Sequence, residues 1–297
     1  MFTGLSAFPL TPVVDDHVDL DSYARLIAHV SEAGVDSITA LGSAGLYPYF
    51  TREERRAVAR TAVQHAGDTP VIVGVGALRT RDVRQHVADA QEAGAAGVLL
   101  APMSYHPLTR DDVYALFEDV AGDLSVPLAV YDNPTVTRFT FDDDLYAAVA
   151  ALPGVGSIKI PGVPAGAEEA AARVKQIRAR IPGHVTVGVS GDAHAARGLL
   201  ASCDAWYSVI GGTIPQTART VSDPARKGDH EAALAASQRL SPLWDLFAAH
   251  GGSLRVVAAL AERLGLATAP VLPRPLLPLD PAARAEVDRV ADALSLT

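Results

Sequence analysis

A single lysine, Lys159, stands near the end of an otherwise apolar run, Val155-Gly156-Ser157-Ile158-Lys159-Ile160, which Pro161 and Gly162 stop at once. The run has the length of a buried strand. An ammonium taken out of water without a partner is costly, and the group tends to shed its proton instead. Attack on a carbonyl carbon requires a neutral amine, so Lys159 is a candidate Schiff-base nucleophile. The alternative is a lysine past the strand end, paired with a surface carboxylate. A second apolar run, Pro127-Leu128-Ala129-Val130-Tyr131, ends in a tyrosine followed by Asp132-Asn133-Pro134. Neighbouring strands lie about 4.8 Å apart, so residues at equal heights bring a phenol oxygen near an amine. Such a phenol can shuttle protons between carbinolamine, imine and substrate. The alternative for Tyr131 is a core aromatic whose hydroxyl meets a backbone carbonyl. A third stretch, Gly42-Ser43-Ala44-Gly45, leaves backbone N–H groups free to hold a carboxylate, with the Ser43 hydroxyl as an extra donor. A plain strand-to-helix turn has the same composition.

The elements that must position these residues alternate along the chain. Strands are predicted over residues 4–8, 35–41, 70–75, 97–101, 127–131, 155–160, 185–189 and 205–210. Helices are predicted over 19–34, 79–94, 111–121, 142–151, 165–181 and 192–201, with a further one opening at Thr51. Leu20, Tyr23, Ile27 and Val30 share one face of the first helix, and Asp19 or Asp21 is placed to cap it. Apolar strands such as Val98-Leu99-Leu100 suit a parallel sheet covered on both faces. This repeat predicts an α/β chain, a (β/α)8 TIM barrel, in preference to a doubly wound sheet. Past about residue 214 the strands stop, and helices over 229–249, 254–264 and 281–294 form a C-terminal helical extension. The expected division is a barrel catalytic domain over residues 1–222 and an all-helical domain over 223–297.

The composition narrows the class. Of 297 residues 49% are hydrophobic and 20% charged, which describes a globular chain with a large core. The net charge of −9, with Arg52, Arg55, Arg56 and Arg60 interleaved with Glu53 and Glu54, speaks against a nucleic-acid partner. One cysteine, Cys203, permits no intramolecular disulfide and fits a reducing compartment. The N-terminus lacks the basic and long apolar regions of a signal peptide, and no apolar run reaches the roughly 18 residues of a membrane span. A cytoplasmic protein without a membrane partner is expected. The nine histidines form no His-x-His or His-x-x-x-His pair, so neither a metal nor another cofactor is expected.

Together, Gly42-Ser43-Ala44-Gly45 with Thr51-Arg52-Glu53-Glu54-Arg55, Tyr131-Asp132-Asn133-Pro134, Ser157-Ile158-Lys159 and Ser190-Gly191-Asp192 carry a resemblance. In order and spacing they resemble the signature segments of the dihydrodipicolinate synthase / N-acetylneuraminate lyase family of class I, Schiff-base-forming barrel lyases. The resemblance implies an imine between Lys159 and the keto group of a 2-oxo acid such as pyruvate, with Tyr131 relaying protons. It implies that Ser43, Ala44 and Gly45 hold the substrate carboxylate, with Gly191 and Tyr207 as further substrate-binding positions. It also implies a homo-oligomer, a tetramer or dimer.

The departures bear on the acceptor. Ala44 replaces a second hydroxyl residue of the family pattern, and Leu46 an acid. Val136 stands where the synthase carries an arginine for its second substrate, with Arg138 two positions on. Ser104 aligns with the synthase's inter-subunit tyrosine, and Tyr105 is next to it. The expectation is therefore a carbon–carbon or carbon–oxygen lyase acting on pyruvate or a larger 2-oxo acid, other than the synthase itself. Two alternatives stand beside it: a sugar-acid dehydratase or hydratase-aldolase, and a degenerate barrel that binds a 2-oxo acid without turnover.

Overall fold

The computed structural model describes residues 1–296. Eight parallel strands close on themselves in the order Gly4–Ala7, Ala205–Ser208, Thr186–Ser190, Val155–Ile160, Leu128–Tyr131, Gly97–Leu100, Val71–Gly74, Ser37–Ala40. Each strand lies beside its sequence neighbour, and the first pairs with the last, Gly4 opposite Ala205. This is the closed (β/α)8 barrel expected from the alternation. Most strand residues are buried on both faces, because helices cover the outside and side chains fill the inside. Two apolar clusters result. The larger lies between the sheet and its helices, and the smaller, with Phe2, Phe8, Ile72, Leu99, Ala129, Tyr131, Ala205 and Tyr207, is drawn from alternate strand positions.

Helix starts follow local chemistry. Asp19 caps Leu20–Glu32, and Thr51 and Thr109 form capping boxes with Glu54 and Asp112. Several elements depart from the sequence expectations. The helix expected over 192–201 begins as a single 3₁₀ turn, Asp192–His194, before Ala195–Leu200, because the Asp192 carboxylate is engaged elsewhere and caps nothing. The helix expected over 229–249 is two, His230–Arg239 and Ser241–Ala249. Pro242 at the start of the second has no N–H to continue the first. An unexpected helix, Pro215–Arg226, follows the last strand. The expected domain boundary at 222/223 falls inside it. The large apolar cluster also runs unbroken from the barrel helices into the tail, through Leu243, Val256 and Leu260. A small hairpin, Val13–Val14 with His17–Val18, also went unforeseen. Its turn places Asp15 and Asp16 at φ 50° and 63°, the left-handed pair that two-residue hairpins favour. No helix among the described residues is long and apolar enough to cross a membrane.

Candidate active site

The lysine and tyrosine strands pair Leu128 with Val155, then Ala129 with Ser157, Val130 with Ile158 and Tyr131 with Lys159. Gly156 is the extra residue that this shift inserts. Without the bulge Tyr131 would stand beside Ile158, whose side chain points to the opposite face. With it, the Lys159 Nζ lies 3.8 Å from the centre of the Tyr131 ring, 3.9 Å from that of Phe8 and 5.6 Å from that of Tyr207. Lys159 is 2% exposed. Burial among aromatic rings pulls its pKa down to about 7, opposed only by the charge of Asp192. At neutral pH a large share of the amine is therefore unprotonated.

Tyr131 is buried at the same height, and its hydroxyl belongs to a small polar cluster. It shares a hydrogen bond with the Ser43 Oγ at 3.2 Å and accepts one from the Asn133 Nδ2 at 2.9 Å. The same amide nitrogen donates to the Ser43 Oγ at 3.3 Å. Burial raises the phenol to about 12, and the bonds to Ser43 and Asn133 work against that rise. Ser43 reaches this place through a tight loop. Leu41 and Leu46, at φ 55° and 61°, bracket Gly42–Gly45 in the left-handed region that non-glycine residues seldom adopt. Such strain persists only where packing over-determines it. Ala44 and Gly45 are buried in this loop, and the Ser43 and Ala44 amides donate to no backbone acceptor among the described residues.

The other expected site residues lie around this pair in different ways. Tyr207 contributes its ring as a wall, while its hydroxyl shares a 2.8 Å hydrogen bond with the Ser157 Oγ, one layer below the amine. Gly188, opposite Lys159, leaves the room: a Cβ there would stand 2.3 Å from the Tyr207 ring. Gly191 turns the chain at φ 78° beside His194. Its neighbour Asp192 is buried and accepts from the Trp206 Nε1 at 3.1 Å and from the Val209 and Ile210 amides at 3.1 and 3.0 Å. This carboxylate pins the turn after the last strand, and its charge favours the protonated form of the Lys159 amine. Tyr105 and Arg138 are not brought to the cluster. Tyr105 is 87% exposed, with its ring edge against His106, and Arg138 is exposed at the end of the short helix Pro134–Thr137.

Phe8 and Asn133 were missed as site residues. Phe8 follows the first strand and precedes Pro9, the place where a barrel strand delivers a side chain to the mouth. Its position at a strand end was the available signal. Asn133 precedes a proline and reads as a turn residue.

A closed parallel barrel with a buried amine facing a phenol at the C-terminal strand ends has the architecture and donor set of an aldolase-type lyase. The model of the dihydrodipicolinate synthetase family matches residues 1–294. The chain belongs to this family, and it is a lyase. The 4-hydroxy-tetrahydrodipicolinate synthase of Nitrosomonas europaea is 31% identical over 83% of this chain and 84% of its own. A putative 2-dehydro-3-deoxy-D-gluconate aldolase of Escherichia coli, YagE, is 26% identical over 100% of this chain and 98% of its own. Among solved structures, the dihydrodipicolinate synthase of Agrobacterium tumefaciens superimposes with a TM-score of 0.94 at 41% identity, covering 99% of this chain and 98% of that one. The structure of YagE in complex with pyruvate gives 0.91 at 25% identity, with both chains fully covered.

Proposed function

We propose that this chain is a Schiff-base lyase that joins, cleaves or dehydrates a 2-oxo acid, pyruvate or a longer homologue, through Lys159. The observation that carries the reading is the Lys159 amine itself: buried, in no ion pair among the described residues, drawn to about 7 and facing the Tyr131 ring at 3.8 Å. The free amine adds to the keto carbon and gives a carbinolamine. Tyr131 passes its proton to the carbinolamine oxygen, which leaves as water, and the nitrogen lone pair forms the protonated imine. The phenolate then removes a proton from the neighbouring carbon, which restores the phenol and leaves an enamine. The unengaged backbone amides of Ser43 and Ala44 are suited to hold the carboxylate of the 2-oxo acid. Gly191 and the Tyr207 ring close the walls of the same pocket. No cofactor is needed for these steps.

The acceptor is other than that of the synthase. Supporting this, Val136 offers no charge where the synthase has its arginine, and Arg138 is exposed at the end of a short helix. A homo-oligomer, dimer or tetramer, belongs to the same reading, supported by the large apolar side chains of Leu78 and Tyr105 left exposed on the isolated chain. Light scattering across concentrations would test it. The function is tested by offering pyruvate with a panel of aldehydes, and separately a panel of 2-oxo-3-deoxy sugar acids, and following product by mass. Turnover that vanishes in Lys159→Ala is the expected result. Condensation or cleavage marks an aldolase, water loss marks a dehydratase, and imine formation without turnover of any of these marks a mere binder.

A further inference from the structure

Asn133 occupies a position with an unusual choice of partners. It is the residue before the Pro134–Thr137 helix, where an asparagine side chain ordinarily accepts from an amide of the first turn. It makes no such bond. Its backbone is nonetheless fixed, since its carbonyl accepts from the Val136 and Thr137 amides at 3.0 and 2.9 Å and from the Thr137 hydroxyl at 3.0 Å. The side chain is turned back into the barrel mouth, where one amide nitrogen serves both hydroxyls of the cluster, Tyr131 at 2.9 Å and Ser43 at 3.3 Å.

We propose that Asn133 is a positioning residue for proton transfer, an amide that fixes the hydrogen-bond polarity of the Ser43–Tyr131 pair. This rests on the reading of Lys159 and Tyr131 given above. An amide NH₂ has two protons to give and no lone pair to offer, so both hydroxyl oxygens must accept from it. Two hydroxyl protons remain. One lies in the bond between Ser43 and Tyr131, which leaves one free to point at a bound substrate. When Tyr131 has given its proton away, the Asn133 N–H and the Ser43 O–H both point at the phenolate oxygen. Charge that develops at a place already faced by fixed donors is stabilised without reorganisation. A carboxylate at the same place would reverse the polarity: it would draw both hydroxyl protons to itself and set a negative charge beside the phenolate.

The test separates imine formation from the proton step. Borohydride trapping with pyruvate reports the imine, and loss of the pyruvate methyl signal in D₂O, followed by NMR, reports proton removal through the enamine. Asn133→Asp preserves shape and exchanges donor for acceptor, and Asn133→Leu removes the donor. Both variants are expected to reach the wild-type level of trapped adduct at long incubation, though more slowly, while methyl exchange measured on the standing imine slows roughly tenfold or more. The pH profile of exchange should move to the alkaline side, further in Asn133→Asp than in Asn133→Leu, because the added carboxylate opposes the phenolate directly. If either variant is poorly folded by circular dichroism, the other decides. Exchange rate and pH profile unchanged from the wild type in a folded variant would overturn the proposal. Absence of the adduct in the wild type would instead overturn the imine reading, and the proposal with it.

Discussion

At the residue scale the central fact is a buried amine that forms no ion pair among the described residues. A buried lysine near 7 presents its nucleophilic form at neutral pH, so imine formation should rise through about pH 7 and level off above it. A stopped-borohydride pH series measures this, and a rise centred near the ordinary lysine value would contradict it. The same burial costs stability. The unfolded chain binds the lysine proton more tightly than the folded one, so stability rises with pH between about 7 and the reference value of 10.5. Lys159→Met should remove that slope and raise the melting temperature at pH 7 by about a few degrees while abolishing the adduct. Tyr131→Phe keeps the ring beside the amine but removes the proton carrier. Turnover should fall by about 10² to 10⁴ with the fold intact, read from steady-state kinetics beside circular dichroism. Lys159 and Tyr131 were legible in the sequence because each is a lone functional group ending an apolar run. Phe8 and Asn133 were not, because a phenylalanine near a strand end looks like core and an asparagine before a proline looks like a turn.

At the element scale, two local devices set the site, and neither shows in a pattern of apolar residues. Gly156 reads as an ordinary strand residue, yet the bulge there decides whether Tyr131 meets Lys159 or Ile158. The loop that delivers Ser43 is held by a close approach. Gly74, at the end of a neighbouring strand, lies so near that a Cβ would stand 1.9 Å from the Leu41 carbonyl oxygen. Gly74→Ala should therefore displace the 41–46 loop, lowering stability and weakening 2-oxo acid binding together, as thermal melts and the pyruvate dependence of trapping would show. Beside the tyrosine strand, Asp132 is buried at 2% exposure and accepts from the Tyr146 hydroxyl at 2.5 Å, while its own amide donates to the Lys159 carbonyl at 3.1 Å. Burial raises its carboxyl to about 6 despite the bond from Tyr146. Tyr146→Phe removes this donor from the buried carboxyl and should cost about 1–3 kcal/mol in denaturant unfolding. Near-wild-type stability would show that Asp132 finds another partner.

For the whole molecule, the alternation of apolar strands with capped helices was enough to predict the barrel, because the βα repeat determines both layers at once. The closing tail was harder. Pro215–Arg226 carries Gln216, Thr217, Thr220 and an internal Pro224, so neither propensity nor apolar spacing announced it. The break at Leu240 depends on a single proline, Pro242. At the mouth of the barrel, strand ends from distant parts of the sequence converge. Phe8, Ser43, Tyr131, Lys159 and Tyr207 come from five different strands or the loops that follow them. That convergence makes one covalent experiment decisive. Intact-protein mass after borohydride reduction with pyruvate should show one reduced pyruvate adduct per chain, mapped to Lys159 by peptide mass and missing in Lys159→Ala. Failure of folded wild-type protein to form an adduct with pyruvate or any longer 2-oxo acid, or an adduct that persists in Lys159→Ala, would contradict the account.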